Sequence, residues 1–288
     1  VRRHLMAEHI TGVDHLLIDS DDLEADRLVW QRLGFNMTPR GRHPQWGTGN
    51  YCAMLGQGYL ELIGVVDPAE FAANAARRGS RRQGNGLSAI ALATDDAQGA
   101  KAELTAAGVD SDGPKNLSRL LEAEDGTSEP RFDILHLPGD VSPAIPMFLC
   151  GHRTPNLVRR PGWTDHPNGA RALVSIAVPV EDPPTHVEAY SRLLGPGAVT
   201  LTDDIVTLRV GVMAVMFARH GDLATQYPDL LPEPGEGPCP GVVTLAVNDP
   251  GLTAEYLAGA NVPMIRDRQS VMVAAEDACG IAMVFEKT

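Results

Sequence analysis

The chain alternates short apolar runs with amphipathic stretches, and one such pairing occurs twice. Gly12–Phe35 (GVDHLLIDSDDLEADRLVWQRLGF) and Gly86–Val109 (GLSAIALATDDAQGAKAELTAAGV) share a pattern at an offset of 74 positions. Each has an apolar run, an Asp-Asp pair, an amphipathic run, and a glycine before the last apolar residue. Val13–Ile18 predicts a strand. The pairs Asp21/Asp22 and Asp95/Asp96 stand where helix N-caps belong and are read as caps, not as catalytic carboxylates. Leu23, Val29, Trp30 and Leu33 recur at helical spacing, and Gly34 suits the left-handed position that ends a helix. A second strand is expected over Phe35–Thr38, then a Pro/Gly/Arg loop over Pro39–Gly47. Strands near Asn50–Leu55 and Tyr59–Val65, split by Gly56-Gln57-Gly58, complete a βαβββ unit.

The second copy opens the same way, crosses a polar stretch (Asp110–Pro130) and ends in apolar runs at Phe132–Leu137 and Ala144–Leu149. A third unit opens at Ala172 and includes runs at Ile205–Val210 and Met213–Ala218. A fourth opens at Gly241 and closes with Ser270–Ala275 and Ile281–Phe285. Four strands cannot bury both faces alone, so the units should pair. The expected layout is an N-terminal domain over 9–150 (modules 12–66 and 86–150), a linker over 151–170, and a C-terminal domain over 171–288 (modules 171–219 and 241–288). The length of 288 residues suggests about the same number of domains.

Composition narrows the function. A net charge of −13 argues against nucleic acid or an anionic membrane as partner, since both need a basic face. No apolar run approaches the ~20 residues of a membrane span. No apolar stretch follows Arg2 and Arg3, so no signal peptide is expected, and residues 1–5 ahead of Met6 read as a cloning remnant. Cys52, Cys150, Cys239 and Cys279 are far apart, which excludes a zinc knuckle and fits reduced thiols in the cytoplasm. Arg77–Arg82 (RRGSRR) is a basic cluster in an acidic chain, read as a solvated loop or an anion-binding lid.

The repeat exposes an asymmetry: His15 in the first copy aligns with Ala89 in the second. His15 and Glu61 each interrupt an apolar run, and burying a carboxylate unpaired costs several kcal/mol. Glu61 therefore needs a metal, a protonated His15 or an arginine. In the Arg40–Asn50 loop, Arg42 suits a carboxylate or phosphate, His43 suits acid/base work near neutral pH, and Trp46 suits stacking. Asn50, at the head of a strand, can hydrogen-bond a ligand.

The modules, with His on a first strand and Glu on a fourth, resemble the vicinal oxygen chelate superfamily, which includes glyoxalase I and the extradiol dioxygenases. Arg40–Val65 (RGRHPQWGTGNYCAMLGQGYLELIGV) and His166–Ala170 (HPNGA) look like its glyoxalase-like group. The resemblance implies an α+β fold: four βαβββ modules paired into two glyoxalase-like domains with curved mixed sheets. It also implies a cleft in which a divalent ion (Zn, Ni, Mn, Fe or Mg) is held by first-strand and fourth-strand residues. His15 and Glu61 occupy those places in module one. The matching places in module two are Ala89 and about Cys150. Ser175, Thr244 and Glu286 mark them in the second half, and His136, His152 and His166 are candidates for a further ligand. The C-terminal half lacks the two histidines of an extradiol iron site, so that activity is not expected.

The expected function is a lyase or isomerase acting on a small oxygenated metabolite. His15 and Glu61 would be metal ligands, Glu61 and His43 proton carriers, and Arg42, Trp46 and Asn50 substrate contacts. The alternative is a metal-free protein that binds or sequesters a small molecule. A homodimer is compatible with either.

Overall fold

The structure is a computed structural model that describes residues 8–44, 46–74, 84–123, 126–233 and 239–288. The Arg77–Arg82 cluster lies outside the described residues.

The first half contains β1 (Ile10–Ser20), α1 (Leu23–Arg32), β2 (Gly41–His43), β3 (Thr48–Met54), β4 (Tyr59–Val65) and α2 (Pro68–Ala73). It continues with β5 (Gly86–Thr94), α3 (Ala97–Ala106), β6 (Asp112–Ser118), β7 (Leu120–Ala123), β8 (Gly126–Ser128), β9 (Arg131–His136), β10 (Met147–His152) and α4 (Pro155–Val158). The second half contains β11 (Ala170–Pro179), α5 (Val187–Leu194), β12 (Val199–Thr202), β13 (Ile205–Val210), β14 (Met213–Ala218) and α6 (His220–Gln226). It ends with β15 (Val242–Val247), α7 (Pro250–Gly259), β16 (Ile265–Arg266), β17 (Ser270–Val273) and β18 (Ala282–Lys287). Among the described residues no helix is long and apolar enough to cross a membrane.

The Asp-Asp pairs divide their labour. Asp22 and Asp96 cap α1 and α3 by accepting from Ala25 N, and from Gln98 N and Gly99 N. Asp21 instead accepts from Gly84 N, and Asp95 pairs with His9. Gly34 closes α1 at φ +89°, as its position after the last apolar turn requires.

Strand pairing gives two mixed sheets. One has ten strands in the order β6-β9-β10-β5-β1-β4-β3-β2-β7-β8; the other has eight, β12-β13-β14-β11-β15-β18-β17-β16. In each, two first strands pair antiparallel at the centre (β1 with β5, β11 with β15), and each is flanked by its own module's last strand in parallel. This is the expected pairing of βαβββ modules with curved mixed sheets.

Three local readings change. Phe35–Thr38 is not a strand: Phe35 is buried in the core and Thr38 is tied to Cys52 by two hydrogen bonds. The second strand lies instead at Gly41–His43, inside the segment read as loop. The polar stretch Asp110–Pro130 contains β6 and the β7/β8 hairpin. That hairpin pairs with β2 at the sheet edge opposite β6. Only Arg119 separates β6 from β7, and two residue steps span at most about 7 Å. The sheet therefore curls until its edges meet at Arg119.

Alternation along the strands sorts the two faces of this sheet. Leu16, Ile18, Leu60 and Leu62 are fully buried with Trp30 and Leu33 of the α1 segment, in a core that continues into the second half through Ile176, Leu245 and Phe285. His15, Leu17, Tyr59 and Glu61 point to the other face, where the sheet wraps around a cavity.

Candidate functional site

The cavity has a volume of about 960 Å³, within the range of small-molecule sites. Its walls include His15, His43, Trp46, Glu61, Arg119 and Phe148. Segments from both modules of the ten-stranded sheet contribute, so the cavity exists only because the modules pair.

His15 lies flat on Tyr59, ring centroids 4.4 Å apart at 14°. Its Nε2 stands 3.2 Å from Glu61 Oε2. Asn50 donates to the other oxygen, Oε1, at 2.5 Å. Asn50 is buried behind Glu61 and orients it; it is not part of the cavity wall.

On the far side of the imidazole, Nδ1 is 2.7 Å from Asp14 Oδ2, and His152 Nε2 reaches the same oxygen at 3.0 Å. Burial raises the Asp14 carboxyl, but hydrogen bonds from both histidines outweigh it and hold the group well below the usual carboxylate range. An ionised Asp14 accepts only, so His15 Nδ1–H donates a hydrogen bond to it. Asp14 went unread in the sequence because neighbouring strand residues point to opposite faces. Between Val13↔Leu92 and His15↔Ala91 two residues of β1 oppose one of β5, a β-bulge that brings Asp14 round to His15.

His43 is buried with Nδ1 3.1 Å from Thr48 Oγ1. Burial pushes it down to about 4, with Arg119 adding to the effect and Glu61 opposing it, so it is neutral at pH 7. Trp46 is half-buried in the cavity wall. Gly47, next to it, needs φ +63°, and a Cβ there would meet Asp67 and Phe71 backbone at 2.4–2.5 Å. Arg42 is not brought to the site: it is 44% exposed and faces Asp67 and Glu70 on the outside.

The remaining histidine candidates separate clearly. His152 belongs to the Asp14 network. His136 lies at the cavity rim against Phe148. His166 is structural: Nε2 meets Met54 O and Nδ1 accepts from Asn36 N, while Asn168 holds the end of α1 through Leu33 O. Asn168 O accepts from Thr253 Oγ1 of α7, so the HPNGA segment fastens the two halves.

Register gives the equivalents of His15 and Glu61 in the other modules. Glu61 neighbours Leu17 on β1; at the same place in module two Phe148 neighbours Ala91. Ala89 and Phe148 therefore replace His15 and Glu61 there, and Cys150 lies two residues further on. In the eight-stranded sheet the equivalents are Ser175 with Met216 and Val242 with Val284. Thr244 matches Leu17, and Glu286 lies two residues beyond the ligand position.

Two donor sets could hold a cation. One is His15 Nε2 with Glu61. The other is Asp14, His15 and Cys150, whose donor atoms lie within 4.8 Å of one another. The second set is the weaker: Asp14 is already shared by two histidines, and burial pushes the Cys150 thiol well above its ordinary range.

A sequence model described as a glyoxalase-like domain matches residues 13–194. No curated protein matches the chain by sequence. Among solved structures, a hypothetical protein from Staphylococcus aureus superposes with TM-score 0.66 at 14% identity, covering 96% of this chain and 99% of its own. A Mn(II)-bound glyoxalase from Novosphingobium aromaticivorans gives 0.56 at 12%, covering 98% and 83%. A xylose isomerase-like TIM barrel/4-hydroxyphenylpyruvate dioxygenase fusion protein gives 0.57 at 16%, covering 98% of this chain and 49% of that one. At these identities the likeness is one of fold.

Proposed function

The chain belongs to the glyoxalase-like domain family, and from that premise we propose that the cavity is the active site of a lyase or isomerase acting on an oxygenated small molecule. The observation that carries the reading is the His15–Glu61 contact. With Nδ1–H given to Asp14, Nε2 presents a lone pair to a carboxylate oxygen at 3.2 Å. Two lone pairs so placed repel, so a positive species belongs between them, either a proton or a divalent ion.

The donor set fits an ion. The separation is close to that of two donors each ~2.1 Å from one metal. Asp14 orients the imidazole as an outer carboxylate does for a ligating histidine. With His15 and Glu61 as the two protein donors of this set, an ion that keeps several waters, such as Mn or Mg, fits better than a closed zinc site. Bound there, it would supply Lewis acidity toward a carbonyl or enolate oxygen.

The chain's own residues do the rest. Glu61, fixed by Asn50, holds or takes a proton beside the reacting carbon. His43, neutral at pH 7, accepts or returns a proton from another point of the wall. Trp46 offers a stacking surface, and the apolar walls exclude water.

A second reading, metal-free binding of a small molecule, is favoured by Ala89 and Phe148, which remove two of the four ligand places. Elemental analysis separates the two. The enzyme reading expects about one equivalent of a divalent ion per chain, as isolated or after incubation with Zn, Ni, Mn, Fe or Mg, and its loss in His15→Ala. Absence of any ion under all these conditions removes the chelate chemistry and leaves the binding reading.

A further inference from the structure

Arg119, at the seam where the curled sheet meets itself, is 3% exposed and forms part of the cavity wall. Its Nε and Nη2 have no hydrogen-bond partner, and it makes no ion pair among the described residues. Nη1 reaches only Cys52 Sγ at 3.4 Å, and the guanidinium lies 5.7 Å from the centre of the Phe132 ring. Burial pushes the Cys52 thiol up to about 11, so Cys52 is neutral at pH 7 and does not compensate the cation. Glu61 acts on Arg119 through space without contacting it, and Glu61 is already engaged by His15 and Asn50.

An arginine stays charged at any physiological pH. A buried cation without a counter-ion in contact is costly, and the strand crossover holds this one in place. Its unpartnered Nε and Nη2, both buried, form one edge of the planar fork that matches a carboxylate. The surrounding wall is mostly apolar, with Leu17, Ile63, Phe132 and Phe148 beside Trp46. We propose that Arg119 is the anion-binding residue of the cavity, and that the ligand carries one carboxylate on an apolar body. This names the substrate class of the proposed site and rests on that cavity being the ligand site.

The test compares acids with their uncharged isosteres by calorimetry on the intact chain, using benzoate and 3-phenylpropanoate against benzamide and 3-phenylpropanamide. Wild type should bind at least one acid about tenfold or more tightly than its amide, the worth of one charge-assisted fork. Arg119→Met should erase the difference, and Arg119→Lys should keep part of it. Arg119→Met should still unfold in one cooperative transition in the absence of ligand, so that a lost acid preference is not lost structure. Equal binding of acid and amide, no binding of any probe, or an acid preference that survives in Arg119→Met overturns the assignment. If Arg119→Met does not fold, the wild-type contrast and Arg119→Lys decide. Metal content read on the same samples keeps the two readings apart. An acid preference without an ion upholds Arg119 and removes the lyase or isomerase chemistry, and an ion without an acid preference does the reverse.

Discussion

The two sheets are built on one plan and finished in opposite ways. Each pairs two first strands antiparallel, and each has a bulge at the same register, with Asp14 the extra residue in one and Val174 in the other. The face that opens as a cavity in the ten-stranded sheet is filled in the eight-stranded one. There α6 and the residues after it lay Leu223, Tyr227, Leu230 and Leu231 over Met216, Val242 and Val284. Of the four equivalent positions on the open face two are polar, His15 and Glu61, and two apolar, Ala89 and Phe148; on the plugged face all but Ser175 are apolar. The lesson is that backbone plan does not make a site here; what covers the face decides whether charge can be kept on it.

The sharpest way to break this comparison is to move charge onto the filled face. Val284→Glu places a carboxylate at the position equivalent to Glu61, under the plug and without a partner. It should cost about 4 kcal/mol in urea unfolding, whereas Phe148→Glu, whose side chain reaches the open cavity, should cost less than half as much. Comparable losses would mean that the plug does not exclude water.

Removing the plug's own atoms is the next test. Leu230 is 1% exposed and packed on all sides, so Leu230→Ala should lose about 3 kcal/mol through lost transfer and a new void. Leu17→Ala, on the wall of an existing cavity, should lose only about 1 kcal/mol because its surroundings are already open.

The open face should also make stability sensitive to acid. The folded-state pKa of His43 is depressed to about 4 from 6.5, so the unfolded chain binds the extra proton first. The contribution of neutral His43 is therefore intact above about pH 6.5 and is lost as pH falls toward 4. Between pH 7 and pH 5 the loss should be about 2 kcal/mol, and His43→Gln should flatten that part of the profile. Asp14, also held below its ordinary range, loses its contribution as pH falls below about 4, which separates the two groups.

Much of this contrast was legible in the residues, and what was missed has physical reasons. Strands at Tyr59–Val65, Ile205–Val210 and Met213–Ala218 fall where their apolar runs do, because each buries at least one face. The β7/β8 hairpin is short, buries only Leu121 fully and carries little apolar pattern. His15 and Glu61 were visible as polar breaks in apolar runs. Asp14 was hidden by a bulge that defeats strict alternation, and Arg119 by a polar stretch in which a lone arginine has no contrast. Only the pairing of β7 with β2 places that arginine in the wall. Register, which depends on bulges, moved the module-two equivalent of Glu61 from Cys150 to Phe148.

The smallest effect belongs to Arg42, which the loop sequence offered as an anion clamp. Its guanidinium is 44% exposed and 3.7–3.8 Å from Glu70 and Asp67. Such contacts are screened by solvent, and Arg42→Ala should change stability by about 0.5 kcal/mol or less. It should leave acid-versus-amide binding unchanged, because the side chain lies outside the cavity wall. The same truncation of a cation inside the wall, at Arg119, should erase that preference. The pair of variants therefore asks which arginine the ligand meets, the one on the loop that the motif marks or the one at the seam that the topology brings in. A loss of acid binding in Arg42→Ala would mean that the loop folds inward over a bound ligand, and that the boundary between the polar cavity and its exterior is drawn one strand too far in.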